Sequence, residues 1–249
     1  MKVELLSNLK IGCVSYLNSK PFTSGLGDAV TLMHPAPLAK SLHAHELDLA
    51  LVPVFECFLH PGYKILDGFG ICCLGPVKSV FLAHHVPLNN IQTIALDGAS
   101  LTSANLVKVL CANYFKIKPR FLNQGENADA ELWIGDQALD YLTHHPHTPV
   151  VDLGQAWMDY TGLPFTFAVW AIHPKTKLSW DQAEILREIF RSGMKRKRAL
   201  VSSEEDYEYL TKFIRHEIGG PEKEAIRRFG QEVAELGLVS QTQVSLVFV

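Results

Sequence analysis

Short apolar segments alternate with short helical patterns over residues 1–175 of this 249-residue chain, and no other feature restricts the fold as much. Most of the apolar segments are continuous runs, which is typical of strands buried on both faces of a sheet. Helices on both faces would supply that cover, so the sequence predicts an α/β fold. The predicted strands are Ile11–Leu17, Asp48–Val54, Ser79–Ala83, Thr93–Asp97, Leu132–Gly135 and Phe167–Ile172.

The predicted helices lie between and after these strands. Pro37 stands near the start of one helix over Ala36–His45, and a Ser/Thr-rich start opens another over Thr102–Tyr114. From Trp180 onward the spacing of apolar residues is helical. The tail Ser245–Val249 is either a short strand or a frayed end.

The chain has no internal repeat and no low-complexity linker, so two lobes would require it to cross between them twice. The apolar segments Val77–Ala83 and Pro164–Ile172 are the expected crossings. They divide the chain into a discontinuous first lobe, residues 1–83 plus 168–249, and a second lobe, residues 84–167. A cleft between two such lobes is the expected ligand site.

Charge and hydropathy exclude two classes of partner. With 23 Lys+Arg against 26 Asp+Glu the net charge is −3, so no general basic field would attract nucleic acid or an anionic membrane. The basic run Lys195–Arg198 has no interleaved aromatic residues and is interpreted as a solvated face. The longest apolar stretch, Leu47–Leu59, is shorter than a membrane-spanning helix, and residues 1–10 carry no signal-peptide pattern.

The number and spacing of cysteines and histidines indicate whether the chain has disulfides or a metal site. The five cysteines are an odd number with no C-x-x-C pair, which indicates free thiols in a reducing cytoplasm. None of the eleven histidines has the i, i+4 spacing of a helical zinc pair. The sequence therefore predicts no metal site.

Polar residues follow the first predicted strand, where open α/β sheets bind their ligands. Asn18 offers an amide donor and acceptor there, and Ser19 offers a hydroxyl. The alternative is that either residue only caps the helix that follows.

Ser79 stands at the start of the first crossing. No G-x-S-x-G motif or partner base accompanies it, so nucleophilic serine chemistry is not indicated.

A second set of polar residues opens two later helices. Ser100, Thr102 and Ser103 lie beside unpaired helix N–H groups and could hold a carboxylate or phosphate, although a simple capping cluster is the alternative. Gly135 and Asp136 repeat the strand-to-helix arrangement. Because an acidic N-cap repels an anion, Asp136 is interpreted on its chemistry alone as a helix cap.

In chain order these segments resemble the chorismate dehydratase family of the futalosine route to menaquinone. The resemblance covers roughly residues 10–240, and its most specific parts are Tyr16-Leu17-Asn18 and Thr161-Gly162-Leu163-Pro164-Phe165. The chain has Leu101 where many members of that family have arginine. The other segments that carry the resemblance are Gly12-x-Val14-Ser15, Asp48-x-Ala50-Leu51-Val52-Pro53, Gly75-Pro76-Val77-x-Ser79-Val80, Ala95-Leu96-Asp97-x-x-Ser100-x-Thr102-Ser103, Ile134-Gly135-Asp136-x-Ala138-Leu139 and Asp152-Leu153-Gly154-x-x-Trp157.

The resemblance implies a two-lobed fold like that of type II periplasmic binding proteins, with a central ligand cleft and C-terminal helices, used as a cytoplasmic enzyme. The implied reaction removes water from chorismate and gives 3-[(1-carboxyvinyl)oxy]benzoate, with no metal or cofactor. Asn18 and Ser79 are the expected catalytic residues. The expected substrate-binding residues are Ser19, Ser100, Thr102, Ser103, Gly135 and Asp136.

Two other functions stay open on the sequence. A solute-binding protein for small anions would share the fold without catalysis. The sister enzyme 1,4-dihydroxy-6-naphthoate synthase also shares it, although the Tyr16-Leu17-Asn18 segment argues against that activity. The sequence leaves a homodimer open as well.

Overall fold

The computed structural model describes residues 3–98, 100–240 and 246–249, and its strands and helices are numbered here in chain order. The strands are β1 (Ile11–Val14), β2 (Val30–Met33), β3 (Leu49–Pro53), β4 (Lys64–Cys73), β5 (Val80–His84), β6 (Thr93–Leu96), β7 (Arg120–Asn123), β8 (Ala130–Ile134), β9 (Val150–Asp152), β10 (Phe165–Ile172), β11 (Arg215–Glu217) and β12 (Val247–Phe248). The α-helices are α1 (Lys20–Thr23), α2 (Pro35–His43), α3 (Val54–Leu59), α4 (Leu101–Leu110), α5 (Gly135–His144), α6 (Leu153–Thr161), α7 (Trp180–Lys195), α8 (Glu204–Glu208) and α9 (Gly220–Glu235).

The first sheet has the strand order β11-β4-β10-β3-β1-β2, with β12 beside β4. Strand β1 runs parallel to β2 and β3, whereas β10 runs antiparallel to both β3 and β4. Every residue of β1 and β3 is buried, as the continuous apolar runs predicted. The predicted strand from Ile11 ends at Val14 rather than Leu17, because a short 3-10 turn begins at Leu17.

The second sheet has the strand order β7-β6-β8-β5-β9 and comes from the middle of the chain. The chain leaves the first sheet after β4 and returns to it as β10, where Cys73 and Phe165 are paired neighbours. Strand β5 belongs entirely to the second sheet and β10 entirely to the first. The predicted lobe boundaries, at residues 83/84 and 167/168, fall inside these two strands. The division into lobes itself stays a prediction.

The two sheets share a continuous apolar core behind the cleft that separates them. Phe229 of α9 packs against Trp157 of α6, with ring centroids 6.0 Å apart. Glu232 of α9 is buried, accepts a hydrogen bond from the Tyr160 hydroxyl at 2.9 Å, and also accepts one from the Asn113 side chain. These contacts tie the C-terminal helix to the helices of the second sheet.

Several elements differ from the sequence expectations. Strand β4 is ten residues long and was not predicted, because Asp67, Gly68 and Gly70 interrupt its apolar pattern. The helix predicted to Tyr114 ends at Leu110 and continues as a π-helical turn over Cys111–Phe115. Strand β11 lies within the region predicted to be helical. Of the predicted tail, Ser245 lies outside the described residues, and a short strand forms at Val247–Phe248.

Two further features bear on the environment of the protein. All five cysteines are free and buried. Within the described residues, no helix combines the length and the apolar character that crossing a membrane requires.

Candidate active site

A cleft with a cavity volume of about 80 Å³ lies between the two sheets. Its polar lining residues lie next to the ends of strands of both sheets and at the starts of helices that follow them. Five of the residues predicted from the sequence line it: Asn18, Ser79, Ser100, Ser103 and Gly135. Apolar side chains form the remaining wall, among them Val14, Leu51, Ile71, Ile134 and Phe167.

Asn18 lies in the short turn that follows β1, and Ser19 holds that turn in shape. The Ser19 hydroxyl is buried, 2.6 Å from the Val14 carbonyl oxygen and 2.7 Å from that of Tyr16. It is therefore occupied by the main chain and does not line the cleft. Its contribution is to fix the backbone from which the Asn18 amide projects.

Ser79 follows a turn whose main chain is hydrogen-bonded to the Asp152 carboxylate. Oxygens of Asp152 accept hydrogen bonds from the main-chain N–H groups of Val77 and Lys78, at 3.0 and 2.7 Å, and it also caps α6 through Gln155. Lys78 has a φ of +61°, a left-handed conformation that is costly outside glycine. Burial raises the pKa of Asp152, and the main-chain N–H donors oppose that rise. The residue before Ser79 is therefore held in a conformation that costs about 1–3 kcal/mol.

Tyr209 joins Asn18 to Ser79. Its hydroxyl lies 2.7 Å from the Ser79 Oγ, and the Asn18 side-chain amide donates to it at 3.3 Å. Tyr209 is 4% exposed, and burial raises its pKa above the ordinary tyrosine value. It begins a π-helical turn over Tyr209–Phe213, a distortion that is frequent at functional sites.

His216 supports Asn18 from the opposite side. Its Nε2 lies 2.8 Å from the Asn18 carbonyl oxygen, so Nε2 carries the proton and donates to that oxygen. The Nδ1 atom is buried and has no hydrogen-bond partner among the described residues, and the ring packs edge-on against Phe22. Burial lowers the pKa of His216 to about 3, so the ring is neutral.

Neither Tyr209 nor His216 was predicted from the sequence as a site residue. They contact Asn18 across 191 and 198 residues of the chain, so no local spacing could reveal the pairing. Both lie in the stretch after Trp180 that was interpreted only as helical. A buried histidine without a charged partner is a signal that becomes visible only in three dimensions.

The hydroxyl groups at the start of α4 have two different roles. Ser100 is the N-cap of the helix, with its Oγ accepting from the Ser103 main-chain N–H at 3.3 Å, and both hydroxyls line the cleft. The Thr102 hydroxyl is fully buried and accepts from the main-chain N–H of Phe55 at 3.2 Å. Thr102 therefore ties α4 to α3 and does not line the cleft.

Gly135 and Asp136 begin α5 on the second sheet. Gly135 has a φ of +61°, and a Cβ there would lie 3.3 Å from the Tyr16 ring, so a larger residue would be strained and crowded.

Asp136 was predicted to cap its own helix, but the N-cap is Ile134. The carboxylate instead accepts from the main-chain N–H of Leu17 at 3.1 Å, and each of these residues is next to one that lines the cleft, Gly135 and Asn18 respectively. Partial burial raises the pKa of Asp136.

The cleft itself is uncharged. Among the described residues that line it, none is Asp, Glu, Lys, Arg or His. In the described ranges 3–98, 100–240 and 246–249, no group of three or more His, Cys, Asp or Glu residues is placed to hold a metal ion. The polar side chains that line the cleft carry hydroxyl groups and the Asn18 amide.

Sequence comparison identifies the family to which the chain belongs. The profile of a family described as menaquinone biosynthesis matches residues 9–234. The chain belongs to that family. It is 31% identical to a chorismate dehydratase of Thermus thermophilus over 219 residues, which cover 78% of this chain and 80% of the relative. It is 29% identical to a chorismate dehydratase of Campylobacter jejuni, with 82% of this chain and 83% of the relative covered.

Solved structures agree on the fold. A protein of Archaeoglobus fulgidus superposes with a TM-score of 0.67 at 13% identity, covering 93% of this chain and 98% of that one. A Candida albicans protein, described as having the generic periplasmic binding protein fold, has a TM-score of 0.64 at 12% identity, with 94% and 91% covered. At these identities the likeness concerns the fold alone. The predicted periplasmic-binding-protein-like fold and the family resemblance are both confirmed.

Proposed function

We propose that this protein is a lyase that removes water from chorismate, giving 3-[(1-carboxyvinyl)oxy]benzoate for menaquinone synthesis by the futalosine route. One observation carries the proposal: Asn18 and Ser79, from separate turns, converge on a single buried hydroxyl at an uncharged cleft. The two chorismate dehydratases at 29–31% identity support the same reaction.

The chemistry needs a small number of directed polar groups. The C3–H bond breaks as its proton is removed, the electron pair of that bond forms the C3–C4 double bond, and the C4–O bond breaks to release hydroxide. The proton taken from C3 is passed to that hydroxide, so one water molecule leaves. The product ring is aromatic, so the elimination is favourable. The protein's task is to orient the groups that accept and donate the proton and to stabilise charge that develops on the ring carboxylate.

The proton is taken, on this proposal, by the substrate's own enolpyruvyl carboxylate. No carboxylate or histidine side chain is among the described residues that line the cleft, so the lining offers no carboxylate or imidazole base. The Tyr16 phenol also lines the cleft, but burial raises its pKa and disfavours the phenolate form that a base requires. Asn18 orients the enolpyruvyl group through its amide. Ser79 donates to the departing C4 oxygen, which lowers the cost of breaking the C–O bond.

The start of α4 is the proposed seat of a substrate carboxylate. Ser100 and Ser103 present hydroxyls to the cleft beside the N-terminal N–H groups of a ten-residue helix. Leu101 adds no charge there, so these donors act alone. In a largely apolar cleft each such hydrogen bond is stronger than it would be in water.

The deciding experiment is incubation of the purified protein with chorismate, with the aromatic product followed by ultraviolet absorbance and chromatography. Steady formation of 3-[(1-carboxyvinyl)oxy]benzoate, greatly reduced in Ser79→Ala, is the expected result. Binding of the analogue 3-(carboxymethoxy)benzoate without any turnover of chorismate would instead favour a solute-binding protein. The proposed site of the reaction is the cytoplasm, in keeping with five free thiols.

A further inference from the structure

Ser79 and Asn18 both depend on one hydroxyl that faces them from the C-terminal part of the chain. Tyr209 is 4% exposed and Ser79 is 2% exposed, so water does not compete for their hydrogen bond. The Tyr209 oxygen is 2.7 Å from the Ser79 Oγ and 3.3 Å from the Asn18 Nδ2. This hydroxyl is therefore placed to set the direction of two groups at once.

The direction of each proton follows from the chemistry of the three groups. The Asn18 Nδ2 can only donate, so the Tyr209 oxygen accepts from it. A phenol is a stronger acid than an aliphatic alcohol, so the Tyr209 proton points to the Ser79 oxygen. The Ser79 hydroxyl then accepts from Tyr209 and keeps its own proton free for a second partner.

The surroundings of Ser79 leave that proton a single useful direction. Its main-chain N–H donates to the Val77 carbonyl at 2.8 Å, and its carbonyl accepts from the Gly135 N–H at 2.8 Å, so the backbone is fixed. Ser79 lines the cleft, and a hydroxyl that accepts a hydrogen bond is a better donor of its own. Its proton consequently faces the ligand space.

We infer that Tyr209 is a positioning residue. Its hydroxyl orients the Ser79 proton into the cleft and holds the Asn18 side-chain amide in a fixed orientation beside it. This inference rests on the proposed function, since it assigns Ser79 the role of donor to the departing oxygen. Tyr209 is not among the residues that line the cleft, so its proposed action is through Ser79 and Asn18. Burial keeps the phenol protonated, as the role requires.

The kinetic test compares Tyr209→Phe with Tyr207→Phe, a matched control two residues earlier whose ring stacks on Arg198. Tyr209→Phe should lower kcat about tenfold and change KM less than about twofold, because binding donors remain while one orienting hydrogen bond is lost. Tyr207→Phe should match the wild type. Thermal unfolding of each variant separates loss of activity from loss of fold.

The double variant tests whether Tyr209 acts through Ser79. In Ser79→Ala the further change Tyr209→Phe should cost clearly less than it costs in the wild type. Equal, multiplicative losses in the two backgrounds would overturn the inference, as would a wild-type kcat in Tyr209→Phe.

A spectroscopic arm is independent of the reaction. In protein labelled with ¹³C at the tyrosine ζ carbon, the Tyr209 resonance is assigned by its loss in Tyr209→Phe. Ser79→Ala should shift that resonance and leave the Tyr207 resonance in place. If the wild type forms no product from chorismate, the proposed reaction fails and this signal alone decides the positioning of Ser79. An unshifted Tyr209 resonance in Ser79→Ala would overturn the inference whatever the activity.

Discussion

The Asp136 carboxylate accepts a hydrogen bond from the Leu17 main-chain N–H at 3.1 Å, although the two residues follow strands of different sheets. Leu17 begins the turn after β1, and Asp136 lies in the first turn of α5, after β8. The contact therefore joins a turn of the first sheet to a helix of the second sheet, next to the cleft. It keeps the turn that presents Asn18 close to the second sheet.

Removing this bridge should loosen the cleft. Asp136→Ala should raise KM for chorismate about fivefold, since a hydrogen bond worth about 1 kcal/mol would no longer hold the two sides together. Small-angle scattering should show a larger radius of gyration without ligand and contraction on adding 3-(carboxymethoxy)benzoate. Asp140→Ala, one helical turn later and exposed, is the control. A variant with unchanged KM and dimensions would show that the bridge has no mechanical role.

Asn18→Ala should lower kcat about a hundredfold while the protein stays folded. The substitution removes an amide that orients the substrate and leaves the surrounding main chain in place, because Ser19 holds the turn. Asn90→Ala, at an exposed 3-10 turn, should leave kcat unchanged. Initial rates over a range of chorismate concentrations measure both parameters. Wild-type turnover in Asn18→Ala would remove this residue from the mechanism, and a covalent adduct on Ser79 by mass spectrometry would contradict its role as a donor.

Substitution of Thr102 should lower stability, whereas substitution of Ser100 should raise KM. Thr102→Val leaves the buried Phe55 N–H without an acceptor, so the free energy of unfolding should fall by about 1–3 kcal/mol with little change in KM. Ser100→Ala should raise KM, because that hydroxyl faces the cleft. Urea unfolding and steady-state kinetics on both variants test the division. A larger rise of KM in Thr102→Val than in Ser100→Ala would reverse these assignments.

Gly154→Ala should disturb the turn that carries Ser79. A Cβ at Gly154 would lie 2.6 Å from both the Cys73 Sγ and the Gly75 carbonyl oxygen, so α6 would have to move away. The free energy of unfolding should fall by about 1–3 kcal/mol and kcat should fall with it. Gly220→Ala has open space around its Cβ and is the matched control. Equal stability of the two variants would show that the close packing of α6 is not required.

His216 should make stability depend on pH. The folded protein keeps the ring neutral, with a pKa of about 3, whereas the unfolded chain takes up a proton near the ordinary value of 6.5. The stability that His216 contributes is fully present above pH 6.5 and is lost as pH falls toward 3, by up to about 1.4 kcal/mol per pH unit. Urea unfolding at pH 7, 6 and 5 measures this slope. His216→Gln should make it shallower, and His144→Gln, at an exposed site, should not; identical slopes in all three proteins would contradict the assignment.

The sequence predicted the sheet interior and the strand ends well because both are local patterns. Continuous apolar runs marked β1 and β3, and polar residues after them marked Asn18. The sequence did not predict β4, whose glycines and aspartate break the run. Tyr209 could not be found either, since its role depends on contacts with residues far away in the chain.

The place of β10 in the first sheet also determines the order in which the chain can assemble during synthesis. β10 pairs with β3 on one side and β4 on the other, yet it is made long after both. At ~5–20 residues per second, the ~90 residues between β4 and β10 leave those two strands with open edges for roughly 5–20 seconds on the ribosome. Open edges of buried, apolar strands are templates for pairing with other chains. The nascent chain is therefore most prone to aggregation before β10 emerges, and chaperone binding over that interval would protect it.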